Sequence, residues 1–430
     1  MDSDRDSGGQ VTSRDRDRGR AALGGLVAWT RSARWLRCWH GESPGGRRWL
    51  TITLVLLALT TVAAGTVVAD ALSGPGSDST PAKLAEWGRD HGLGVVITWL
   101  ETWRYDHDQP AVGGRPAGGI PGVAGEVPTG PGASRGFTSR LDKAPLAPLA
   151  VGPRLPGEGQ WRTVVASAGL PAVQVTGLRV DAQHTAFVAG VMQLDPALVK
   201  GALHPGARDP GGSWQAPDAL SDAATHGLAA VFNGGFRLTD PSHPGYYSEG
   251  RTVAPLRDGL ASLVLYKNGV ADVGTWNHEL RMSQSVASVR QNLLPLVDHG
   301  QVNPACATGG PAQWGSTIGQ AAFIHRSGFG VTATGAEIYV GGPALSVCTL
   351  GHILTDAGVV RGMELDINPN WVSGAYFHDR PHGQPTGFRL FPDEKVAAGH
   401  YFSPSSRDFY TWTLRTPGPT SAPHPARTNR

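Results

Sequence analysis

The stretch MELDINPNW, residues 363–371, alternates apolar and polar side chains over its first six positions. Side chains of a β-strand point to opposite faces in turn. One face would therefore carry Met363, Leu365 and Ile367, and the other Glu364, Asp366 and Asn368. If the apolar face covers a core, the other face presents two carboxylates and an amide in a row. The stretch predicts a strand whose polar face is either an ordinary solvated surface or the floor of a site.

Short apolar or alternating runs bounded by Gly, Asp, Asn and Pro surround this stretch from about Gln160 to Arg415, as is typical of strands. Two segments, 216–227 and 344–358, have helical patterns, and the second ends at a glycine. Many strands with a few helices predict an α+β domain with a mixed β-sheet over residues 160–415. The Pro-rich residues 416–430 are expected to form a disordered tail.

No charged residue occurs from Trp49 to Ala69, and about 20 apolar residues in a helix cross the hydrocarbon layer of a bilayer. Residues 49–71 are therefore predicted to be a transmembrane helix. Arginines precede this segment, which by the positive-inside rule makes residues 1–48 a disordered, basic cytoplasmic tail. The C-terminal domain would then lie outside the cell membrane on a single-pass anchor. A cleaved signal peptide is the alternative, because Ala69-Asp70-Ala71 has the form of a cleavage site.

Two segments separate the membrane helix from the predicted domain. Residues 72–108 have helix-like stretches with three tryptophans, interrupted by Gly92 and Gly94, and predict a short helical pair that lies on the membrane or packs on the main domain. Residues 109–159 are rich in Gly and Pro and predict a linker or a long loop.

The composition of the 430-residue chain excludes some partners and indicates others. Its formal net charge is +2, and no basic stripe interleaved with aromatic residues is present, so nucleic acid is not an expected partner. Cys38 falls on the cytoplasmic side of the predicted topology. Cys306 and Cys348 fall outside, where an oxidising compartment permits a disulfide; two buried free thiols are the alternative.

Several standard catalytic and metal-binding motifs are excluded by their spacing. The serine of GSTIG (315–319) is not at the third position of a nucleophile elbow. HDRPH (378–382) has a proline that breaks the helix a zinc-protease motif needs. DINPNW lacks the glycine of a calcium loop. The sequence therefore indicates no metal site and no cofactor.

Polar clusters at strand ends are the remaining candidates for a site. An apolar strand leads into Asn233, Gly234, Gly235 and Phe236, where paired glycines let the backbone approach a ligand closely. The segment 245–255 adds Tyr246, Tyr247 and Glu249, and Arg326 precedes a strand interrupted by glycines.

The order of these motifs resembles the phosphodiester glycosidase family over residues 160–391. The family's Asn-Gly-Gly-Phe corresponds to residues 233–236, its Arg-Thr-x-x-Gly to residues 326–330, and its Leu-Asp to Leu365 and Asp366. The family continues with a Gly-Gly-Gly-Ser run, whereas this chain has Ile-Asn-Pro-Asn-Trp at 367–371. Backbone amides freed by glycines commonly hold phosphate oxygens. Asn368, Asn370 and Trp371 would have to substitute for them.

The resemblance implies cleavage of a sugar-1-phosphodiester between the anomeric carbon and oxygen. Such a site needs a cation for the phosphate and a carboxylate for the oxocarbenium-like centre or the attacking water. Arg326 is the expected cation. Asp366 is the first choice for the carboxylate, with Glu364 and Glu249 behind it, and Asn233 would orient a hydroxyl or the water.

The sequence thus predicts a membrane-anchored extracytoplasmic glycosidase acting on a glycan or sugar-phosphate substrate, plausibly in a cell-envelope polymer. A non-catalytic envelope protein of the same fold that binds a glycopolymer is the first alternative. A scaffold whose segment 81–136 contacts an envelope partner is the second.

Overall fold

The computed structural model describes residues 44–416 except 75, 77, 108, 121–125, 128–138, 142–143, 241, 318–321 and 381–382. The chain divides into two units, residues 1–70 and 71–430. Most of the predicted cytoplasmic tail and nearly all of the predicted C-terminal tail therefore lie outside the described residues, as does Cys38.

Within the described residues, the first helix, α1 (Pro44–Ser73), begins inside the predicted tail. Its segment Thr51–Ser73 has a mean hydropathy of 2.2 and is long and apolar enough to cross a membrane. Two helices follow, α2 (Thr80–Asp90) and α3 (Gly94–His107), within the segment 72–108. The other helices are α4 (Pro311–Trp314) and α5 (Val347–Asp356), with 3-10 turns at Asp222–Thr225, Pro304–Cys306 and His400–Phe402.

Eighteen strands lie in the described part of the second unit. The first nine are β1 (Arg162–Ser167), β2 (Leu170–Arg179), β3 (Val188–Leu194), β4 (Val199–His204), β5 (Leu228–Asn233), β6 (Tyr246–Ser248), β7 (Arg251–Ala254), β8 (Ala261–Tyr266) and β9 (Ala271–Thr275). The others are β10 (Val286–Gln291), β11 (Pro295–Asp298), β12 (Gln301–Val302), β13 (Ile324–Thr332), β14 (Glu337–Leu345), β15 (Val359–Glu364), β16 (Gly374–His378), β17 (Thr386–Arg389) and β18 (Phe409–Leu414).

The strands form three sheets. An eight-stranded sheet has the order β1-β2-β3-β14-β13-β15-β11-β12, and two five-stranded sheets have the orders β17-β16-β5-β18-β4 and β7-β6-β10-β8-β9. The ladder pairs among the described strands are antiparallel. The predicted α+β class, with many strands and few helices, is confirmed.

The eight-stranded sheet is apolar on both faces. One face joins the two smaller sheets in a core that includes Met363, Leu365, Phe232 and Trp412. The other face is covered by α5, whose Leu350, Ile353 and Leu354 belong to a second core cluster. The sheet is therefore a central layer, and a polar side chain on either face has to find a partner inside the protein.

Helix α5 confirms the prediction for residues 344–358, but the prediction of a helix over 216–227 was wrong. Only the 3-10 turn Asp222–Thr225 forms there. The reason is that backbone amides of this segment bond elsewhere: the Ala216 N–H donates to Glu249 Oε1 (2.8 Å) and the Leu220 N–H to the Tyr401 carbonyl (2.8 Å). Amides that donate to distant acceptors cannot form the i to i−4 ladder of a helix.

Cys306 and Cys348 form a disulfide with Cα atoms 5.0 Å apart, which confirms the predicted pairing. It ties the turn Pro304–Cys306 to the first residues of α5.

The described end of the predicted linker also belongs to the fold, because Leu141, Leu146 and Glu158 are buried. Glu158 pairs with Arg179 of β2 at 2.9 Å.

Candidate functional site

The strand that opened the sequence analysis lies near the middle of the large sheet. Met363 and Leu365 are in the central core, as their apolar pattern predicts. β15 ends at Glu364, but pairing with β13 continues: the Leu365 N–H donates to the Ser327 carbonyl (2.8 Å) and the Ser327 N–H to the Asp366 carbonyl (2.9 Å). Glu364 and Asp366 are only 3% and 5% exposed. The polar face is therefore not a solvated surface at these two positions.

Glu364 is neutralised inside the protein by Arg326. Arg326 donates from Nη1 to Glu364 Oε1 (2.6 Å) and from Nε to the Leu345 carbonyl (3.0 Å), and both side chains are buried. Burial raises the pKa of the Glu364 carboxyl, and the Arg326 charge opposes this rise. The two residues pair with each other and do not line the cleft described below.

Asp366 meets a different arginine. Arg407 donates from Nη2 to Asp366 Oδ2 (3.1 Å) and to the Gly235 carbonyl (3.0 Å), and its Nε lies 3.5 Å from Asp209 Oδ2. The guanidinium carbon is 5.2 Å from the centre of the Trp371 ring, within range of a cation–π contact. Asp366 Oδ1 accepts the Asn368 N–H at 2.8 Å. The backbone and Arg407 thus hold the carboxylate in one orientation.

Asp366 lines a narrow cleft with a free volume of about 10 Å³, which is room for about one water molecule. The lining residues come from four segments of the chain. They are Asn233, Gly234 and Gly235; Asp366, Asn370 and Trp371; Val396; and His400, Tyr401, Ser405, Arg407 and Asp408. The cleft therefore brings together the predicted Asn-Gly-Gly segment, the predicted carboxylate and the predicted aromatic surface.

The charges behind the cleft are unbalanced. Arg290 donates from Nε to Asp408 Oδ2 (2.8 Å), so the guanidinium groups of Arg290 and Arg407 face the carboxylates of Asp209, Asp366 and Asp408. Burial raises the pKa of Asp366 to about 6, which Arg407 opposes. Burial also raises the pKa of Asp408, which Arg290 opposes. A carboxyl that changes protonation near pH 6 is suited to proton transfer.

His400 adds no positive charge to the cleft at neutral pH, because burial lowers its pKa to about 4. Arg407 is then the cation among the lining residues. Its Nη1 makes no hydrogen bond to the described residues.

The Asn-Gly-Gly-Phe segment is fixed by Asn292, which follows β10. Its Nδ2 donates to the Glu364 and Leu365 carbonyls (2.6 and 2.8 Å), and its Oδ1 accepts the Phe236 N–H (3.1 Å). A Cβ on Gly235 would lie 2.4 Å from this Oδ1, so the position needs a glycine. Asn292 therefore joins two motifs that are far apart in the sequence.

Asn233 is engaged within the protein. Its Nδ2 donates to Ser327 Oγ (3.0 Å), and its Oδ1 accepts from Tyr339 Oη (2.8 Å) and from the Ser373 N–H (3.1 Å). These bonds occupy the side-chain amide of Asn233 and fix the strand ends around the cleft. The role predicted from sequence, orienting a hydroxyl or water, would compete with them.

The segment 366–371 makes two consecutive side-chain turns. Asp366 Oδ1 accepts the Asn368 N–H (2.8 Å), and Asn368 Oδ1 accepts the Asn370 N–H (2.9 Å). Asn and Asp commonly form such turns with the backbone two residues on. These amides are already bonded, so Trp371 and Asn370 are the parts of the segment that face the cleft.

Glu249 lies away from this cleft. Its oxygens accept the Gln215 and Ala216 N–H groups (2.9 and 2.8 Å), and it lines a separate groove that also contains Tyr247. Tyr246 is buried in the central core and not available for stacking against a ligand. The structure therefore does not bring the 245–255 segment to the predicted site.

Sequence reasoning missed Arg407, Asp408 and Arg290. A usable signal was present: Arg407 and Asp408 immediately precede the apolar strand β18, and Arg290 is the fifth residue of the strand β10, VASVRQ. Charged residues inside or beside buried strands require partners, but the sequence does not say which residues those partners are.

Among the described residues, no group of three or more His, Cys, Asp or Glu side chains is placed to hold a metal ion.

Comparison with known proteins gives only distant likeness. No family model and no curated protein sequence matches this chain. The catalytic domain of zebrafish N-acetylglucosamine-1-phosphodiester alpha-N-acetylglucosaminidase, auto-inhibited by its pro-peptide, aligns with a TM-score of 0.36 and 13% identity over 57% of this chain and 82% of that chain. At this similarity the alignment carries no argument about activity.

Two further solved structures are similar at the same distance. A hypothetical protein from Synechocystis has a TM-score of 0.32 and 12% identity over 57% of this chain and 63% of that chain. A putative exported protein from Burkholderia pseudomallei K96243 has a TM-score of 0.26 and 12% identity over 56% of this chain and 74% of that chain.

Proposed function

We propose that this protein is a membrane-anchored extracytoplasmic glycosidase that hydrolyses a sugar-1-phosphodiester linkage in a glycan or cell-envelope polymer. The observation that carries the proposal is the environment of Asp366. This buried carboxyl has a pKa raised to about 6 and lines a cleft beside a guanidinium and an indole ring. Perturbed carboxyls in clefts are typical of catalytic groups.

Each lining group has a chemical role in the proposal. Arg407 is the cation for the phosphate, in place of Arg326, because Arg326 is occupied by Glu364 behind the cleft. The Trp371 ring, which is 7% exposed, forms an apolar wall of the cleft, and Asn370 offers an amide for a hydroxyl. Asp366 is the carboxylate at the reacting centre.

The reaction consumes one water molecule and needs no other reactant. The water oxygen forms a bond to the anomeric carbon as the bond from that carbon to the phosphate oxygen breaks, and the electron pair leaves with the phosphate. The water proton passes to Asp366. The leaving group is a phosphate monoester, an anion that needs little acid assistance, so a cation beside it is the main requirement.

The test is release of free sugar from a panel of sugar-1-phosphodiesters by the full-length protein in detergent. Asp366→Asn is expected to lower kcat by about 10³-fold, as loss of a catalytic base does. Glu364→Gln is the matched control, the same chemical change two residues earlier on the same strand but outside the cleft, and should change kcat only a few-fold. No release by the folded protein across a broad panel would refute the proposal.

A second candidate function is non-catalytic binding of a glycan or glycopolymer. It is favoured by one observation: both Asp366 oxygens are already engaged, by Arg407 and by the Asn368 N–H. A binder would keep its affinity for sugar phosphodiesters in the Asp366→Asn variant and would release no sugar. Calorimetric titration of wild type and variant with the same panel separates the two candidates.

The location is part of the proposal. The apolar segment of α1, the arginines before it and the disulfide Cys306–Cys348 favour an anchored protein with its C-terminal domain outside. The expected result is that a protease added to intact cells removes the domain and leaves α1 in the membrane fraction. A mature protein that begins at Leu72, directly after Ala71, would instead identify a cleaved signal peptide.

A further inference from the structure

Helix α3 carries large apolar side chains on its exposed surface. They are Val95, Val96, Trp99, Leu100 and Trp103, here called the α3 apolar face. Val95 is 84% exposed, Trp99 63% and Trp103 54%. Positions 95, 99 and 103 are separated by four residues each and so follow one side of the helix. Contiguous apolar patches of this kind on a soluble protein mark a surface that is covered by something else.

The inner side of α3 is held to the rest of the unit. Ile97 packs beside Gly88 of α2, and Tyr105 Oη donates to the Phe323 carbonyl (3.3 Å). Helix α2 in turn pairs with the sheet domain through Glu86 with Arg237 (3.1 Å) and Asp90 with Arg208 (2.6 Å). The α3 apolar face therefore points away from a helix pair that is fixed to the domain.

Chain connectivity indicates what covers this face. Only 20 residues separate the end of α1 at Ser73 from the start of α3 at Gly94, and 11 of them are helical in α2. With extended connections and a helical rise of 1.5 Å per residue, the chain spans at most about 50 Å. Wherever α1 crosses a membrane, α3 begins within about 50 Å of the surface from which the chain emerges.

The composition of α3 fits a bilayer interface. Tryptophan is enriched where the headgroups meet the hydrocarbon, because the ring is apolar and its N–H is polar. The 14 residues of α3 include only Glu101, Arg104 and Asp106 as charged groups, so attachment would come from buried apolar area and not from attraction to anionic lipid.

We propose that α3 lies in the outer interface of the membrane that α1 crosses, with the α3 apolar face in the lipid, as a second attachment point for the domain. The proposal rests on α1 being a retained anchor, as proposed above, but not on the enzymatic activity. A lipid surface is favoured over a second copy of the chain because the anchor brings lipid to this helix at any protein concentration.

The test uses the full chain in a Cys38→Ser background, reconstituted in phosphatidylcholine vesicles and spin-labelled at a single introduced cysteine. Val95→Cys reports on α3. Val151→Cys is the matched control, a valine that is 77% exposed and lies in the segment before β1. Collision of each label with oxygen, which concentrates in lipid, is compared with collision with a nickel chelate, which stays in water. The oxygen-to-nickel ratio is expected to be several-fold higher at position 95 than at position 151.

Two outcomes would overturn the proposal. Equal ratios at both positions would place α3 in water. Spin–spin broadening at position 95 that disappears on dilution with unlabelled protein would identify a second copy as the occupant. Adding Trp99→Ser and Trp103→Ser is expected to move the label at position 95 toward water. Intact mass verifies that α1 is retained, so failure of the anchor and failure of α3 docking are distinguished.

Discussion

Glu364, the last residue of β15, and Asp366, two residues later, each pair with an arginine but have different neighbours. Arg326 and Glu364 are sealed behind the sheet, with an Nη1 to Oε1 distance of 2.6 Å. Arg407 and Asp366 are 3.1 Å apart, and both line a cleft with Trp371. The same residue types thus serve one position as a structural ion pair and the next as a candidate site.

The difference lies in the neighbours. Glu364 faces one cation, whereas Asp366 belongs to a group in which the carboxylates of Asp209, Asp366 and Asp408 outnumber the guanidinium groups of Arg290 and Arg407. A group with an excess carboxylate holds a proton at higher pH, and a cleft lets that proton be exchanged with a ligand or water. Strand position alone does not distinguish the two carboxylates; the neighbouring charges and the cleft do.

The largest expected effect is on the sealed pair. Arg326→Ala leaves Glu364 buried without its cation, which typically costs about 3–5 kcal/mol of the free energy of unfolding. Urea denaturation at pH 7 measures it. The double variant Arg326→Met with Glu364→Leu should recover most of the loss. A cost below about 1 kcal/mol for the single variant would contradict the view that this pair is sealed from water.

The pH dependence of stability should report on Asp366. Its folded pKa of about 6 lies above the ordinary value of 3.8, so the folded state binds the proton more tightly than the unfolded chain. That stabilisation is complete below about pH 4 and is lost as the pH rises through about 6. Relative to Asp366→Asn, wild type should lose about 2–3 kcal/mol between pH 4 and 7. Parallel stability curves for the two proteins would show that Asp366 has no raised pKa.

The cleft pair should tolerate loss of its arginine better than the sealed pair does. Arg407→Ala leaves Asp366 with the Asn368 N–H and with a proton available near pH 6, so a cost of about 1–2 kcal/mol is expected. Urea denaturation beside Arg326→Ala makes the comparison direct. Equal losses for the two variants would remove the distinction between the pairs.

The smallest effect is expected in the segment after Asp366. Asn368→Ala removes the acceptor for the Asn370 N–H but keeps the backbone bond to Asp366, and should cost about 1 kcal/mol or less. Asn368→Asp keeps the acceptor and is the matched control. A loss comparable to that of Arg326→Ala would mean that this turn, and not the ion pairs, maintains the strand end.

The strand pattern allowed much of the fold and part of the site to be predicted. Met363 and Leu365 reach the core as their alternation requires, and Asp366, Trp371 and the Asn-Gly-Gly segment line one cleft. Glu249 could not be excluded from sequence because its use as an acceptor for the Gln215 and Ala216 amides depends on contacts about 30 residues away.

By itself the sequence determined the α+β class and the apolar helix before the domain, and it predicted the helix pair after it and a disulfide between Cys306 and Cys348. These features follow from local period, length and cysteine number. Only the tertiary structure decided which carboxylate meets which arginine. Arg407 lies just before β18, which pairs with β5 in a five-stranded sheet, whereas Asp366 lies just after β15 of the eight-stranded sheet. The two side chains meet because these two sheets pack together. A buried charge must find a partner, but the packing of the layers selects which one it finds.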